Sequence, residues 1–266
     1  MTKLSIIIPV YNEEPFLKRC LDSLKVSEEH IHDVEIILIN DGSTDKSGEI
    51  LDADRDRVGF TVVHHSTNWG VSMTRNHGLA LASGEWVTFL DSDDAMHTEG
   101  IGNILRGIAQ NGGYNNILQF NHYRCHDGAC KVEGRYYIAP MDYTVSNLPP
   151  KWATVWNKVY KKSFLDENGI RFPSGQQFDE DREFNLQCLH YEKRIGGITL
   201  PTICKYFDNE GSICHTMTQD KFVKALDALI ERLGTEDDPE LCQIIKQSII
   251  GHLESKHFKQ LFGGAS

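Results

Sequence analysis

The chain has 266 residues, 40% of them hydrophobic and 24% charged, which suits one large globular domain or a domain with an appendage. Its net charge of −11 argues against a general grip on nucleic acid or anionic membrane, because such affinity comes from basic patches. No apolar run approaches the ~18 residues a membrane helix needs, and the N-terminus lacks the apolar region and cleavage site of a signal peptide. The expected location is therefore cytoplasmic, with peripheral membrane contact left open. The seven cysteines include no CxxC pair, and several sit in apolar patterns, so buried free thiols are expected.

Leu4 to Val10 is an apolar run that reads as a strand, closed by Pro9-Val10-Tyr11-Asn12. Pro15 suits the first turn of a helix whose apolar face carries Leu17, Cys20, Leu21 and Leu24. Val34 to Asn40 is a second strand, ending in the turn-rich Asp41-Gly42-Ser43-Thr44-Asp45. A polar helix is expected from about Ser47 to Asp54, a strand from Phe60 to His65, and a helix from Val71 to Ala82. Gly78 inside that helix costs about 1 kcal/mol relative to Ala, so close packing should require it. Trp86 to Leu90 is the fourth strand. Such alternation predicts a mostly parallel sheet flanked by helices, with ligands bound beyond the carboxyl ends of its strands. Tyr11–Glu14, Asp41–Asp45 and Asp91–Asp94 all fall at those ends.

After Asn111 the pattern changes. Asn116 to His122 reads as a strand, and Asp127-Gly128 marks a hairpin over Tyr123 to Tyr137. Trp156 to Lys162 interleaves basic and aromatic residues, Asp179 to Tyr191 reads as a helix, and Ile203 to Phe207 as a strand. Two helices are expected from Gln219 onward, separated by Glu236-Asp237-Asp238-Pro239, and the tail after Phe262 should be disordered. The division is 1–215 for a catalytic domain and 216–266 for a helical extension. The extension either packs on the first part or joins two copies in a homodimer.

The chemistry concentrates in Asp91-Ser92-Asp93-Asp94. A buried strand ending in three carboxylates needs positive compensation, and a hard divalent cation supplies it with room for substrate phosphates. A solvated acidic turn is the alternative. Asp41 either accepts from a nucleobase or ribose or belongs to a capping loop. Arg75 either holds a diphosphate or the Asp cluster, or is structural. Asp181 lies near the apolar face of its helix, in a first turn whose dipole favours an ionised carboxylate; it is either able to act as a base or one of the acids that commonly decorate a helix start. His215 reads as an ordinary loop histidine, a cap over the site or a further metal ligand.

Ile7-Ile8-Pro9-Val10-Tyr11-Asn12-Glu13, Asp41 to Asp45, Asn68 to Gly78 and Phe89 to Asp94 occur in the order found in the family 2 glycosyltransferases with the GT-A fold, and together they resemble that family. Trp156-Asn157-Lys158-Val159-Tyr160 and Glu180-Asp181-Arg182 resemble its later motifs. The resemblance implies a GT-A-like, Rossmann-type α/β sheet and a nucleotide-sugar donor, commonly a UDP-sugar, used with Mn²⁺ or Mg²⁺. It implies Pro9, Tyr11 and Glu13 around the nucleobase, Asp41 on uracil, and Arg75 near the base or diphosphate. It further implies Asp91 on ribose beside Ser92, Asp93 on the metal, and Asp181 as the base of an inverting transfer. The expected acceptor is a hydroxyl of a glycan or lipid-linked saccharide, with nucleic acid or protein as alternatives. A sugar nucleotidyltransferase would favour a Gly-rich phosphate loop near the N-terminus, which Pro9 to Glu13 does not provide. A non-catalytic sugar-nucleotide binding module would have no use for Asp181.

Overall fold

The computed structural model describes residues 2–126, 129–132, 152–174, 179–206, 218–254, 259 and 261–262. His215, the far part of the expected hairpin (133–137) and the tail 263–266 lie outside the described residues. The strands are β1 (Leu4–Val10), β2 (Val34–Asn40), β3 (Phe60–His64), β4 (Trp86–Phe89), β5 (Ala95–Met96), β6 (Ile117–His126), β7 (Ala129–Val132), β8 (Lys158–Lys161) and β9 (Gly196–Tyr206). The helices are α1 (Glu14–Ser23), α2 (Ser47–Ala53), α3 (Val71–Leu81), α4 (Gly100–Asn111), α5 (Lys162–Glu167), α6 (Glu180–Tyr191), α7 (Gln219–Thr235) and α8 (Pro239–Glu254).

One sheet runs in the order β3-β2-β1-β4-β8-β6-β9-β5, with β7 paired to β6. Pairing is parallel from β3 through β4, as the alternating first ninety residues require. Beyond β4 the sheet is mixed: β8 is antiparallel to both β4 and β6, and β9 is parallel to β6. The chain winds from β1 outward to β3 and then returns to β4 on the other side of β1. That reversal opens a crevice at the tips of β1 and β4.

Period-two alternation sorts each central strand onto two cores. Ile6, Ile8, Val10, Ile36 and Leu38 pack with Leu17, Leu21, Leu51, Ile101 and Ile104 of α1, α2 and α4. Ile7, Ile37 and Ile39 pack on the opposite face with Leu79, Phe164, Phe184 and Leu189. The C-terminal hairpin joins this second core through Leu229, Leu241, Ile244 and Ile245, and Arg182 donates to Ser248 Oγ at 3.1 Å. No helix among the described residues is long and apolar enough to cross a membrane.

Two details differ from the sequence expectation. Cys125 is disulfide-bonded, while Cys20, Cys188, Cys204 and Cys242 are free. Residues 125 and 130 face each other across the β6–β7 hairpin, a register that cysteine spacing alone does not reveal. The last long strand begins at Gly196, not near Ile203, and its pairing with β6 is irregular around Pro201, where an N–H for the ladder is missing.

Gly78 is required by packing. A Cβ there would lie 2.3 Å from Ile7 Cγ2, at the point where α3 crosses β1. Gly78→Ala is expected to destabilise by about 1–3 kcal/mol through overpacking, read as a lower melting temperature.

Candidate active site

Pro9 shapes the crevice. Leu90 N–H donates to Ile7 O, so Pro9, two residues on, faces the same neighbour without an N–H to offer. The β1–β4 ladder ends at Ile7–Phe89, and the two loops beyond it are left to carry chemistry. The β1 and β2 loops are tied together: Asn12 Oδ1 accepts from Thr44 N–H at 2.8 Å, and Glu13 N–H donates to Ser47 Oγ at 2.9 Å. Tyr11 remains 46% exposed at the tip, a ring face open to a ligand.

Asp41 is buried at the end of β2. Its carboxylate accepts from His65 Nδ1 at 2.8 Å and from the N–H groups of Trp69 and Gly70, both at 2.9 Å. It thereby fixes the turn that launches α3. His65 Nε2 lies 2.8 Å from His77 Nδ1, and Trp69 stacks on His65 at 3.8 Å. The Asp41 carboxylate thus already carries three donors, and the turn it holds is the one before α3, not the start of α2.

Arg75 is buried on α3 and joins both halves of the site. Its guanidinium donates to Asp91 Oδ1 at 3.1 Å, to Glu180 Oε1 at 3.0 Å and to Asp181 Oδ1 at 2.9 Å. Of the partners open to Arg75 in the sequence, it takes the Asp cluster, and with it the Glu-Asp pair at the start of α6. Asp181 also accepts from Val155 N–H at 3.1 Å. Burial raises the Asp181 pKa, opposed by Arg75, Val155 N–H and Lys158. Its basicity therefore stems mainly from desolvation, not from the helix dipole. Burial likewise lifts Glu180 to about 7.

Asp91, Asp93 and Asp94 each bring a carboxylate oxygen within 4.8 Å of the others. Ser92 between them is buried. Lys205 of β9 reaches into the cluster, with Nζ 2.7 Å from Asp91 Oδ2 and 2.7 Å from Asp94 Oδ2. Burial would raise Asp91, but Lys205 and Arg75 together hold it down at about 2. Asp94, fully buried and accepting from Tyr206 N–H at 2.8 Å, is raised to about 7 by burial and by Asp91 and Asp93. Glu13 is pushed up to about 8 by burial and by the neighbouring aspartates, Asp93 foremost. An all-oxygen donor set in so negative a field fits a hard divalent cation. Asp93, with oxygens of Asp91 and Asp94 beside it, would hold it.

These shifts carry a pH consequence. Glu13, Asp94 and Glu180 have folded pKa values above their unfolded ones, so the folded state holds the extra protons. That stabilisation is complete below about pH 4 and is lost as pH rises through about 7 to 8. Asp91 acts oppositely, but its contribution is lost only as pH falls toward about 2. The metal-free protein should therefore melt at a lower temperature at about pH 7 than at about pH 5, read by calorimetry.

The profile of the family described as Glycosyl transferase family 2 matches residues 5–178. This chain belongs to glycosyl transferase family 2.

The family 2 chain is 30% identical over 206 residues to the uncharacterized glycosyltransferase EpsJ of Bacillus subtilis, a match covering 72% of this chain and 57% of EpsJ. It is 26% identical over 196 residues to the poly(ribitol-phosphate) beta-N-acetylglucosaminyltransferase TarS of Staphylococcus aureus, covering 73% of this chain and 34% of TarS. The chain thus spans about half or less of the length of these relatives. The crystal structure of TarS 1–349 in complex with UDP-GlcNAc superposes with a TM-score of 0.78 at 21% identity, over 97% of this chain and 78% of that one. The mannosyltransferase PcManGT of Pyrobaculum calidifontis, in complex with GDP-Man and Mn²⁺, superposes with a TM-score of 0.68 at 18% identity, over 95% of this chain and 70% of that one. These likenesses establish the GT-A fold.

In this family 2 chain the described site residues gather at one end of the sheet, with Glu13 in the field of the Asp cluster. Sequence reasoning missed Lys205 and His65, and it gave Lys158 a place in a motif without a role of its own. Lys205 carried a signal: a lysine inside Ile203-Cys204-Lys205-Tyr206, on the same strand face as the buried Ile203, needs a carboxylate partner.

Proposed function

We propose that the chain is an inverting transferase that moves a sugar from a UDP-sugar to a hydroxyl of a growing glycan, using Mn²⁺ or Mg²⁺. The observation that carries this reading is the Arg75 bridge, which links Asp91 on the donor side to Asp181 on the acceptor side. In it, Tyr11 stacks on the base, Asp91 and Ser92 contact ribose and Asp93 ligates the cation. Asp41 approaches uracil only by sharing a carboxylate that already accepts three hydrogen bonds. A divalent cation held by Asp93 would supply positive charge to offset what develops on the departing nucleoside diphosphate. Asp181 removes the acceptor proton as the hydroxyl attacks the anomeric carbon, and Arg75 holds that carboxylate in place. TarS, which shares this fold, was captured with UDP-GlcNAc, and its name gives a beta product. That makes UDP-GlcNAc the first donor to try.

A thermal-shift screen of UDP-, GDP- and CDP-sugars with Mn²⁺ tests the donor; a UDP-sugar should raise the melting temperature most. A preference for GDP- or CDP-sugars would overturn the nucleobase assignment. Asp93→Asn is expected to weaken UDP binding in the presence of Mn²⁺ by at least about tenfold, because it removes a charged ligand. Calorimetry reads this directly, and unchanged affinity would count against Asp93.

A further inference from the structure

Lys158 opens β8 with its side chain fully buried. A buried ammonium is costly, and burial pushes this one down to about 7, with the negative charge of Asp181 acting the other way. Stability does not account for it, since replacing buried charges by apolar groups of similar size is often neutral or stabilising. Its partners give the reason. Lys158 Nζ donates to Thr154 O and, at 3.0 Å, to Asn157 Oδ1. Thr154 O and Val155 N–H are the two ends of one peptide group, and Val155 N–H donates to Asp181 Oδ2 at 3.1 Å. A cation on the carbonyl end polarises the amide and strengthens its N–H as a donor.

We propose that Lys158 is a positioning residue for sugar transfer, holding the carbonyl end of the Thr154–Val155 peptide whose N–H end anchors the carboxylate of Asp181. The proposal rests on the reading of Asp181 as the base. Arg75 fixes the other oxygen of that carboxylate, so the peptide and the guanidinium together set its orientation. Neighbouring contacts make the turn rigid. Asn185 Nδ2 donates to Ala153 O at 3.0 Å and to Asp181 O at 2.8 Å, and Tyr160 OH donates to Asn185 Oδ1 at 2.9 Å. Those contacts hold the backbone of the turn against α6, and Lys158 adds the charge that acts on the Asp181 side chain.

Lys158→Met keeps the side-chain volume and removes the donor. Its first readout needs no activity: the amide proton of Val155, followed by NMR, should move upfield in Lys158→Met and in Asp181→Asn, because the first removes the donor at the carbonyl end and the second leaves only a neutral, weaker acceptor at the N–H end. The second uses UDP release from UDP-GlcNAc with Mn²⁺ and water as acceptor. There, kcat should fall about tenfold in Lys158→Met while KM and calorimetric UDP affinity stay at wild-type values. The double variant should be no slower than Asp181→Asn alone, since Lys158 acts through that carboxylate. An unmoved Val155 resonance, or fully multiplicative losses in the double variant, would overturn the proposal. Lys158→Gln guards against misfolding: it keeps a donor for Thr154 O and should recover part of the lost kcat, whereas wild-type kcat in a folded Lys158→Met would assign the lysine a purely structural role. If Asp181→Asn alone retained full turnover, the base assignment would fall, and the Val155 resonance would still report whether the link exists.

Discussion

Asp181→Asn is expected to leave UDP binding with Mn²⁺ intact and to slow UDP release by roughly a hundred- to ten-thousand-fold, the range for loss of a general base. The amide keeps the size of the carboxylate and one acceptor oxygen for Val155 N–H, so the turn before β8 should hold its shape. It cannot take a proton from an incoming hydroxyl. Burial has already raised the Asp181 pKa, which makes the carboxylate a stronger base than an exposed aspartate. The measurement is a comparison of kcat with calorimetric affinity. A variant that lost affinity and turnover together would place Asp181 in donor binding instead.

Arg75→Met is expected to have the largest effect on stability. The guanidinium compensates Asp91, Glu180 and Asp181 at 2.9–3.1 Å, in a position only 4% exposed. Removing it leaves Glu180 and Asp181 without their cation in a largely enclosed site, Asp91 keeping Lys205, which costs about 3–5 kcal/mol. For a chain of this size that lowers the melting temperature by on the order of 10 °C. The sign with pH follows from linkage. Without Arg75 the folded carboxylates titrate higher, so the loss should be smaller near pH 5, where they accept protons, than near pH 8. Thermal melts at both pH values check it; equal losses would mean that the ion pairs contribute little.

The first ninety residues were legible because each strand is a mostly apolar run ending in a polar loop, and each helix begins just after such a loop. That alternation fixed the parallel half of the sheet and put Glu13, Asp41 and Asp91 at its carboxyl edge. The second half was less legible for identifiable reasons. Helix α4 has the helical spacing Ile101, Ile104, Leu105 and Ile108, but Gly100, Gly102 and Gly107 dilute it and no side chain caps it. At least one of those glycines answers to tertiary packing: a Cβ on Gly107 would lie 2.4 Å from Ile198 of β9. Lys158 to Lys161 belong to a run that interleaves basic and aromatic residues and has no clean strand pattern, yet Lys158 and Tyr160 are buried in a central strand. Their polar ends are matched by groups distant in sequence, such as Asn185. The same holds for the site. Three aspartates announce themselves as a cluster, whereas Lys205, 114 positions from Asp91, belongs to it only through the pairing of β9 with β5 and β6.

The central claim is that one buried arginine joins a donor-binding acidic cluster to the base that activates the acceptor. A crystal structure with UDP-GlcNAc and Mn²⁺ tests it most directly. The account predicts the cation on Asp93, the diphosphate beside it, and the anomeric carbon facing Asp181 with the Arg75 bridge intact. A donor bound away from the tips of β1 and β4, or a sugar turned from Asp181, would contradict it.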